Sequence, residues 1–557
     1  MIRYTSEKQT TLPGFETPFD VELDLNNRWA TLAQIIPWDD LALAYYSTFA
    51  SHYGRPAKDA RMVIGAVIIK HKLCLSDEET IEQVKENPYL QYFVGLKKFQ
   101  TSAIFVPSLF VEIRKRMGAD VFDAFQQSII DAVEENKQSR TNKVKTESPQ
   151  PQFGQEVLDE TSDEIADGIV DEVVDEASDD EVPDEAINEE SAKESTETAE
   201  TPSVNNHSPK EQVTHQGKLI VDATVASQAI RFPTDLSLLN EAREISEKII
   251  DELYPQTTLQ KKPRTYRKVA RKDYLAIVKR RKPGKKLYRK GNKQQLQYLK
   301  RNLNPIETLL DRLPGNEIPL SRHRLRQYWI IQIVLSQQEL MYRTKTNRCD
   351  DRIVSISQPH VRPIIRGKLN QSVEFGAKLN VSLNADKIAC VDACRWDAFH
   401  EAQDLKSQVE SYKTRHGYYP EKVLADPLYG TRENRAYLKE KGIHYSGKPL
   451  GRPKKVTEEN KEQHKLDKQQ RHQDYVQRIP IEGKFGQAKN AYGLNKIRAK
   501  RADTSFAWIN SIFLVMNLLI LTKVFYLPKK MCRLFGYCVQ FFAKVSGMSQ
   551  IKACCFA

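Results

Sequence analysis

Apolar positions in the first 135 residues recur at the spacing of amphipathic helices. The stretch ARMVIGAVIIKHKL predicts a helix opened by Pro56, and Ser76 with Glu79 forms a capping-box pattern ahead of a second helix. A later run, LFVEIRKRMGADVFDAFQQSIIDAVEE, predicts another helix. The pattern therefore predicts an all-helical N-terminal domain over residues 1–137. Its scattered bases suit DNA binding or dimerisation, and a plain helical bundle is the alternative.

From residue 217 the pattern changes to short apolar runs of β type. GKLIVDATVAS predicts a strand with Asp222 inside it, and RIVSISQ, SVEFGAKLNVSLN and KIACVDACRWDAF predict further strands. KVLADPLYG predicts a strand with Asp426 near its end, between two helical stretches. Strands that alternate with helices and carry acids at their ends predict an α/β core over residues 216–525.

One apolar run could be a membrane span, because residues 504–522 contain no charged side chain. Asn510, Ser511 and Asn517 interrupt the run, however, and a buried helix of an α/β core has the same composition. We therefore expect a buried helix and no membrane attachment. The start of the chain lacks the apolar segment of a secretory signal, which predicts a cytoplasmic protein. The C-terminal tail, residues 526–557, contains four cysteines and supports no interpretation.

Charge is distributed very unevenly along the 557 residues. The whole chain has 85 Lys and Arg against 73 Asp and Glu, but residues 151–200 alone hold 20 acids and one base. The other 507 residues therefore carry a net charge of about +31, which points to a polyanionic partner such as nucleic acid. Residues 138–215, which contain the acidic run, are too polar to repay their ordering entropy, so we expect a disordered linker.

The basic charge is densest in a predicted helical insertion, at about residues 256–345. Residues 261–300 contain 17 Lys and Arg and a single acid, Asp273. Four tyrosines are interleaved with these bases: Tyr266, Tyr274, Tyr288 and Tyr298. Cations that attract phosphates, together with aromatic rings on which bases stack, are typical of a nucleic-acid groove. A solvated helical face is the alternative.

Cleavage of a nucleic-acid backbone in water needs an activated oxygen nucleophile and a stabilised leaving oxygen, which two divalent ions about 4 Å apart can supply. Mg²⁺ prefers carboxylate oxygens. Asp222 and Asp426 each lie in an apolar strand context, where a lone acid is costly unless it is paired or bound to metal. They are the first two candidate ligands, and a turn or capping role is the alternative for each.

A third carboxylate lies in DYVQRIPIEGKFGQAKNAYGLNKIRAK. On a helix, Tyr475, Arg478, Glu482 and Lys489 fall on one narrow stripe, which suits a metal ligand flanked by phosphate-binding cations. Pro480 could start or kink that helix, so only Glu482 and Lys489 are certain to share a face. A surface helix held by salt bridges has the same pattern.

These motifs together resemble the bacterial insertion-sequence DDE transposases that carry the YREK signature. The spacing Tyr475, Arg478, Glu482, Lys489 matches that signature at every position. Several ordered blocks are also similar to the family: VDATVASQAIRFPTDL, DDRIVSISQPHVRPIIRGK, ADPLYGTRENRAYLKEKGI, SGKPLGRPKK and IEGKFGQAKNAYGL. SDEETIEQVKENPYLQYFVGL resembles part of the family's N-terminal domain. The resemblance covers about residues 20–525, interrupted by the acidic run.

The resemblance implies an α/β RNase H-like catalytic core with an all-helical N-terminal domain. It places the catalytic and metal-binding DDE triad on Asp222, Asp426 and Glu482, and DNA contacts on the Tyr, Arg and Lys of the signature. It further implies two Mg²⁺ ions, for which Mn²⁺ can substitute, and a homodimer on paired ends of double-stranded DNA. The expected activity is cleavage and strand transfer at the terminal inverted repeats of the element, in the cytoplasm and at the nucleoid.

Some positions depart from the family pattern or compete with the triad. Pro427 and Leu428 replace the Lys-Gly of many relatives, and His400 occupies a position that is often Asn. Asp392 and Asp397 are rival carboxylates, which we rank below the triad. Two other functions stay open: a catalytically inactive DNA-binding remnant, and an RNase H-like nuclease without strand transfer.

Overall fold

The computed structural model describes residues 22–49, 56–146, 215–314, 317–365, 373–451, 457 and 460–545, with side chains up to 139 and 523 in the helices that end at 146 and 545. The chain divides into two units, residues 1–139 with 213–557, and residues 140–212. The acidic run at 151–200 lies outside the described residues, as does the end of the tail. The features below belong to the first unit.

The N-terminal region is helical, as predicted. It contains α1 Arg28–Ile35, α2 Trp38–Tyr46, α3 Ala60–Lys72, α4 Asp77–Glu86, α5 Pro88–Phe93, α6 Leu109–Arg116 and α7 Ala119–Thr146. The capping box is confirmed, since Ser76 and Glu79 bond each other's backbone N–H groups at the start of α4. The predicted opening at Pro56 is wrong, because Asp59 caps α3. The predicted start of the linker at residue 138 falls within α7.

The second half of the chain forms one mixed sheet. Its strands are β1 Lys218–Ser227, β2 Arg362–Ile365, β3 Val373–Leu383, β4 Ala389–Arg395, β5 Lys422–Ala425 and β6 His444–Tyr445. The order is β2-β3-β1-β5-β6. β4 pairs with the same edge of β3 as β2 does, further along that strand. β1 is antiparallel to β3 and parallel to β5. This sheet with its helices is compatible with a DDE catalytic domain.

One predicted strand is absent from the described residues: RIVSISQ forms an irregular segment. Its apolar side chains Ile353 and Ile356 are buried against a separate helical core. A short apolar run satisfies a strand and a buried loop equally well, and here burial against helices replaced strand pairing.

The predicted basic insertion, at about residues 256–345, forms that helical core together with the helix that precedes it. The core is formed by α8 Asp235–Leu253, α10 Lys285–Asp311 and α11 Arg322–Thr344, with α9 Arg267–Val278 packed on α8 and α10. Leu239, Leu299 and Ile331 are among its fully buried residues. The insertion therefore buries one face of each long helix and leaves most of its bases exposed.

Helices cover both faces of the sheet. On one face, α12 Leu405–His416 and α13 Arg432–Glu440 enclose a core with Val221 and Val423. On the other, α14 Lys461–Ala491 and α15 Ala502–Val545 pack over Ile220 and Leu424. Alternation along each strand sends successive side chains to opposite faces, so both faces need a helical layer.

The uncharged run lies in α15 and is a buried helix, as expected. The segment Ala502–Lys523 is long and apolar enough to cross a membrane, yet 83% of an 18-residue apolar stretch within it is buried inside the protein. Its polar residues bond internally: the Asn517 amide bonds both the N–H and the carbonyl of Ala389 in β4, at 3.0 and 2.7 Å. One side of the helix packs on the sheet, and the other, with Leu514 and Leu518, packs into the core of the N-terminal helices.

Candidate active site

Parallel pairing of β1 with β5 brings the two predicted aspartates together. Val221 lies opposite Ala425. Asp222 follows Val221 and Asp426 follows Ala425, so the two aspartates are neighbours across the strands. Because side chains alternate along a strand, Asp222 points to the same face as Ile220, and Asp426 to the same face as Leu424. Both aspartates therefore face the layer formed by α14.

The third predicted carboxylate comes from α14, which crosses that face. Ile481, Phe485 and Ala488 are the buried positions that seat the helix on the sheet. Glu482 and Lys489 occupy neighbouring positions of the same helix. The helix continues through Pro480 in the structure, so all four signature residues lie on one helix.

One cavity of about 680 Å³ collects the predicted site. Asp222, Asp426, Glu482, Arg478 and Lys489 all line it. Tyr475 does not: its side chain is 57% exposed on the flank of α14, with the Arg478 guanidinium 5.8 Å from its ring centroid. The structure thus brings five of the six predicted site residues into one cavity, and it leaves Tyr475 outside the lining, next to Arg478.

Arg478 connects two of the carboxylates. Its Nη2 donates to Glu482 Oε1 at 2.6 Å, and its Nη1 lies 3.5 Å from Asp222 Oδ2. Glu482 is half exposed, so this pair is screened by solvent and contributes little to stability. The two contacts place the Arg478 guanidinium between the carboxylates of Asp222 and Glu482.

The charge at Asp222 is nevertheless poorly compensated. Burial raises the pKa of the Asp222 carboxyl to about 6, and the nearby carboxylates of Asp426 and Glu482 act in the same direction. The Ala223 N–H, which donates to Asp222 Oδ1 at 2.8 Å, and the charge of Arg478 oppose this rise. An aspartate with a raised pKa in a cavity is a candidate functional group.

Asp426 is positioned by its own backbone. It caps the 3₁₀ turn Pro427–Tyr429, and its Oδ1 accepts the Leu428 N–H at 3.1 Å. Pro427 starts that turn without needing an N–H, which explains how the departure from Lys-Gly is accommodated. Leu428 is 56% exposed and also lines the cavity.

The donor chemistry fits a hard divalent cation, since three carboxylates face one cavity. The side chains do not converge on one point, however: within the described ranges, no group of three or more His, Cys, Asp or Glu could hold a metal ion as placed. Arg478 lies between Asp222 and Glu482, where its guanidinium supplies the positive charge that a cation would otherwise supply.

Sequence reasoning missed two further charged residues among the described lining of the cavity, Lys378 and Glu401. Lys378 of β3 forms an ion pair with Glu401 and donates to the Phe399 carbonyl at 2.7 Å. Lys378 could have been noticed as the one cation of β3, a largely apolar strand that also contains Glu374. Glu401 carries no comparable signal, because it opens a helical stretch rich in acids.

The secondary candidates have different environments. Asp392 is buried in a structural ion pair, accepting from Arg415 at 2.7 Å and from Gln408 at 3.0 Å. Asp397 and His400 are exposed, and neither lines the cavity. Cys390 and Cys394 pack as buried or half-buried residues, and burial raises the pKa of the Cys390 thiol to about 11, so it is inert.

The basic insertion presents its cations outward. Arg264 and Arg301 lie over the two-fifths-exposed ring of Tyr266, at 4.5 and 5.8 Å from its centroid. Tyr298 instead makes a hydrogen bond inside the protein, since its hydroxyl donates to the Asp273 carboxylate at 2.9 Å. The four interleaved tyrosines are therefore not equivalent, and Tyr298 helps to hold α10 to α9.

Comparison with known proteins finds two matching family models. Residues 423–519 match the transposase DDE domain, and residues 18–116 match a transposase domain, DUF772. The first match contains Asp426 and Glu482, whereas Asp222 lies outside it. The two matches confirm the resemblance to insertion-sequence DDE transposases at both ends of the chain.

A curated relative is similar over a shorter stretch. An uncharacterized protein, ORF8 in the nfe locus of Rhizobium meliloti, is 33% identical over 118 residues, or 21% of this chain. The chain spans 56% of that relative's length. No solved structure matches the chain.

Proposed function

We propose that this chain, which belongs with the insertion-sequence DDE transposases, cuts and joins DNA at the terminal inverted repeats of its own element. The position of Asp222, Asp426 and Glu482 in the lining of one cavity, with Arg478 and Lys489, carries the proposal. Carboxylates suit metal binding and the two cations suit DNA phosphates. The RNase H-like assignment of the core is part of the same proposal, and the sheet order and the acids at strand ends support it.

Asp222, Asp426 and Glu482 would hold two Mg²⁺ ions, or Mn²⁺ in their place. When bound, the ions activate the attacking oxygen and stabilise the leaving oxygen. Lys489 and Arg478 orient a phosphate over the carboxylates, and Tyr475 is exposed on the same helix for a DNA contact. Arg478 can serve the phosphate once its two carboxylate partners are otherwise neutralised.

Cleavage of the DNA that flanks the gene tests the proposal. Purified protein is incubated with a labelled duplex spanning one inverted repeat, with and without Mg²⁺. Asp426→Asn is compared with Asp397→Asn, a matched change of an exposed carboxylate outside the cavity. We expect metal-dependent cutting at the repeat boundary and joined products for the wild type and for Asp397→Asn. Asp426→Asn should bind the duplex but cut it at least about 100-fold more slowly.

The outcomes separate the alternative functions. Binding without cutting by the folded wild type identifies an inactive remnant. Cutting without joined products identifies a nuclease. Efficient cutting by Asp426→Asn removes that residue from the site. Cutting that needs no divalent metal contradicts the assigned chemistry.

The insertion is proposed to grip DNA phosphates without reading sequence. Neutralising the four consecutive cations at residues 279–282 should flatten the salt dependence of binding. The slope of log K against log salt is negative, and each lost phosphate contact reduces its magnitude by about 0.9. The magnitude therefore falls by about 3.6 if all four cations bind phosphates. An unchanged slope would exclude this segment from the interface.

The remaining partners follow from the reaction. Both ends of an element must be cut together, which calls for a homodimer on paired ends, and the N-terminal helices are candidates for DNA contact or dimerisation. The reaction takes place on chromosomal DNA, so we place the protein in the cytoplasm, at the nucleoid. Light scattering of the protein with and without end DNA would detect the dimer.

A further inference from the structure

A cation that the YREK signature does not include lines the carboxylate cavity from the side opposite α14. This cation is Lys378 of β3, which lines the cavity together with the triad. Its neighbours Ala377 and Leu379 are buried in the core beneath α14 and α15. Because side chains alternate along a strand, Lys378 points to the other face of the sheet, which α12 covers. The two cations of the signature, in contrast, reach the cavity from α14 itself.

The cavity is open to both faces of the sheet because β5 ends before β1 does. Parallel pairing of the two strands ends at Val221 and Ala425, whereas β1 continues to Ser227. After Ala425 the chain leaves the sheet in a 3₁₀ turn, and no strand of the described residues takes its place beside the next four residues of β1. Ala223 and Thr224, adjacent residues of β1 that point to opposite faces, both line the cavity. Side chains from the two faces therefore meet beside this part of β1.

The Lys378 ammonium is held in place by two partners. It forms an ion pair with the Glu401 carboxylate and donates to the Phe399 carbonyl at 2.7 Å. These contacts account for two of its three N–H donors, which leaves one for an oxygen atom inside the cavity. The side chain is only 16% exposed, so solvent screens its charge less than that of a surface lysine. The charge of Lys378 therefore acts strongly on a group that enters the cavity.

Glu401 is positioned by the same strand that carries Lys378. It opens the 3₁₀ turn that precedes α12. The buried amide of Asn380 in β3 donates to the Glu401 carbonyl at 3.3 Å and to Asp404 Oδ2 at 2.8 Å, which fixes this turn against the strand. Glu401 also lines the cavity. A largely buried ion pair adds little net stability, because desolvation of both charges is costly, so its place in this cavity favours a functional role.

A DNA phosphate in this cavity needs hydrogen-bond donors on more than one side. A phosphodiester has two non-bridging oxygens, and enzymes stabilise the charge on such oxygens with fixed donors while the phosphoryl group is transferred. Arg478 and Lys489 supply donors from the α14 side of the cavity. Lys378 supplies a donor from the α12 side, so cations flank a phosphate that lies between them.

We propose that Lys378 is a further catalytic residue, whose ammonium binds one non-bridging oxygen of the phosphate that is cut. Glu401 is a positioning residue, because it holds the ammonium and does not itself contact the DNA. The inference rests on the DNA-cutting function proposed above. It adds to that function a phosphate contact from the face of the sheet opposite α14.

The test combines a change in the protein with a change in the DNA. Single-turnover cleavage in Mg²⁺ is measured for the full-length protein on the labelled inverted-repeat duplex. A methylphosphonate replaces one or the other non-bridging oxygen of the cut phosphate, as two separated diastereomers. Lys378→Met should cut the natural duplex at least about 100-fold more slowly than the wild type, which is the effect of losing one donor to the transition state.

The two diastereomers distinguish a phosphate contact from a structural role. On the diastereomer that lacks the oxygen bound by Lys378, the wild type and Lys378→Met should cut at the same reduced rate, within about threefold, because the contact is already lost. On the other diastereomer, Lys378→Met should again be at least about 100-fold slower than the wild type.

Three further variants serve as controls. Lys406→Met changes an exposed cation of α12 outside the cavity lining and should cut within about twofold of the wild-type rate. Glu401→Gln should slow cleavage about tenfold and weaken the same difference between diastereomers, because the ammonium is less well placed. Lys378→Met combined with Glu401→Gln leaves neither charge of the pair uncompensated, so it should fold like the wild type, by circular dichroism, and cut as slowly as Lys378→Met.

Three results would overturn the inference. The first is cleavage of the natural duplex by Lys378→Met at the wild-type rate. The second is the same loss of rate for Lys378→Met on both diastereomers, which is the result of a purely structural role. The third is wild-type cleavage by the folded double variant, which decides the matter if Lys378→Met alone does not fold. In each case the wild type still cuts its inverted repeat and the proposed function stands, whereas a folded wild type that never cuts rejects the proposed function as well.

Discussion

Asp77→Asn should destabilise the whole folded unit, because Asp77 lies between two buried cations. Its Oδ1 is 2.9 Å from Lys70 Nζ, and both of its oxygens accept from Arg114, at 3.0 and 2.8 Å. The side chains of Lys70 and Arg114 are only 2% and 8% exposed. Both cations also lie over the ring of Trp508 in α15, at 4.5 and 5.4 Å from its centroid.

The expected loss is about 3–5 kcal/mol in the free energy of unfolding at pH 7. Removing one partner of a buried ion pair leaves an uncompensated charge, and that penalty is of this size. Asparagine keeps the shape of the side chain, so no cavity forms. The cation–π contacts with Trp508 remain and contribute about 1–2 kcal/mol, which favours the lower end of the range.

The sign of the pH dependence follows from Asp77 itself. Burial would raise the pKa of its carboxyl, but hydrogen bonds and charge from Arg114 and Lys70 outweigh burial and lower it. The stabilisation is therefore complete above the unfolded pKa of about 4 and is lost as the pH falls through the folded value. The difference between wild type and Asp77→Asn should shrink under acid conditions.

Urea unfolding, followed by tryptophan fluorescence and by circular dichroism, measures the loss. Glu82→Gln is the matched control, because it breaks the exposed pair Glu82–Lys85 and should cost less than about 0.5 kcal/mol. A loss for Asp77→Asn no larger than that of the control would refute the argument. Since Asp77 and Trp508 lie in different matched segments, a single transition would also show that the two segments unfold together.

Three further predictions concern single side chains. Arg478→Gln removes a cation that lowers the Asp222 pKa, so the midpoint of pH-dependent Mn²⁺ binding, followed by electron paramagnetic resonance, should move to higher pH; an unmoved midpoint would contradict the contact. Asn517→Leu leaves the Ala389 N–H and carbonyl unpaired and should cost about 2–4 kcal/mol in urea unfolding, whereas Asn510→Ala, whose amide bonds only its own helix, should cost less than about 1 kcal/mol. Burial and nearby arginines lower the pKa of His360 to about 4, so the unfolded chain gains a proton first as the pH falls from about 6.5. Between pH 7 and 4.5 the wild type should lose about 1–2 kcal/mol more stability than His360→Gln, and equal pH profiles would refute this.

Local patterns in the sequence determined the helices and the principal strands. The capping box of Ser76 and Glu79, the apolar run around Asp222 and the stripe on α14 depend on residues a few positions apart, and such interactions form in any context that keeps the chain folded. The choice of the three carboxylates also came from the sequence, through the YREK spacing and the resemblance that it carries.

Long-range pairing decided what the local patterns left open. RIVSISQ was predicted to be a strand, and the irregular segment that it forms depends on a helical core supplied by residues far away in the chain. The N-terminal helices and α15 share one core, although they are separated by more than half of the sequence. Burial depends on which surfaces meet, and a single run of apolar residues does not specify its partner.

The composition of the site likewise depended on the tertiary structure. Parallel pairing of β1 with β5 sets Asp222 beside Asp426, and packing of α14 adds Glu482. Lys378 and Glu401 line the same cavity without any sequence signal linking them, because the turn after β3 and the whole of β4 separate them in the chain. The sequence determined which chemical groups were available. The fold determined which of them meet, because distances between residues far apart in the chain are set by packing.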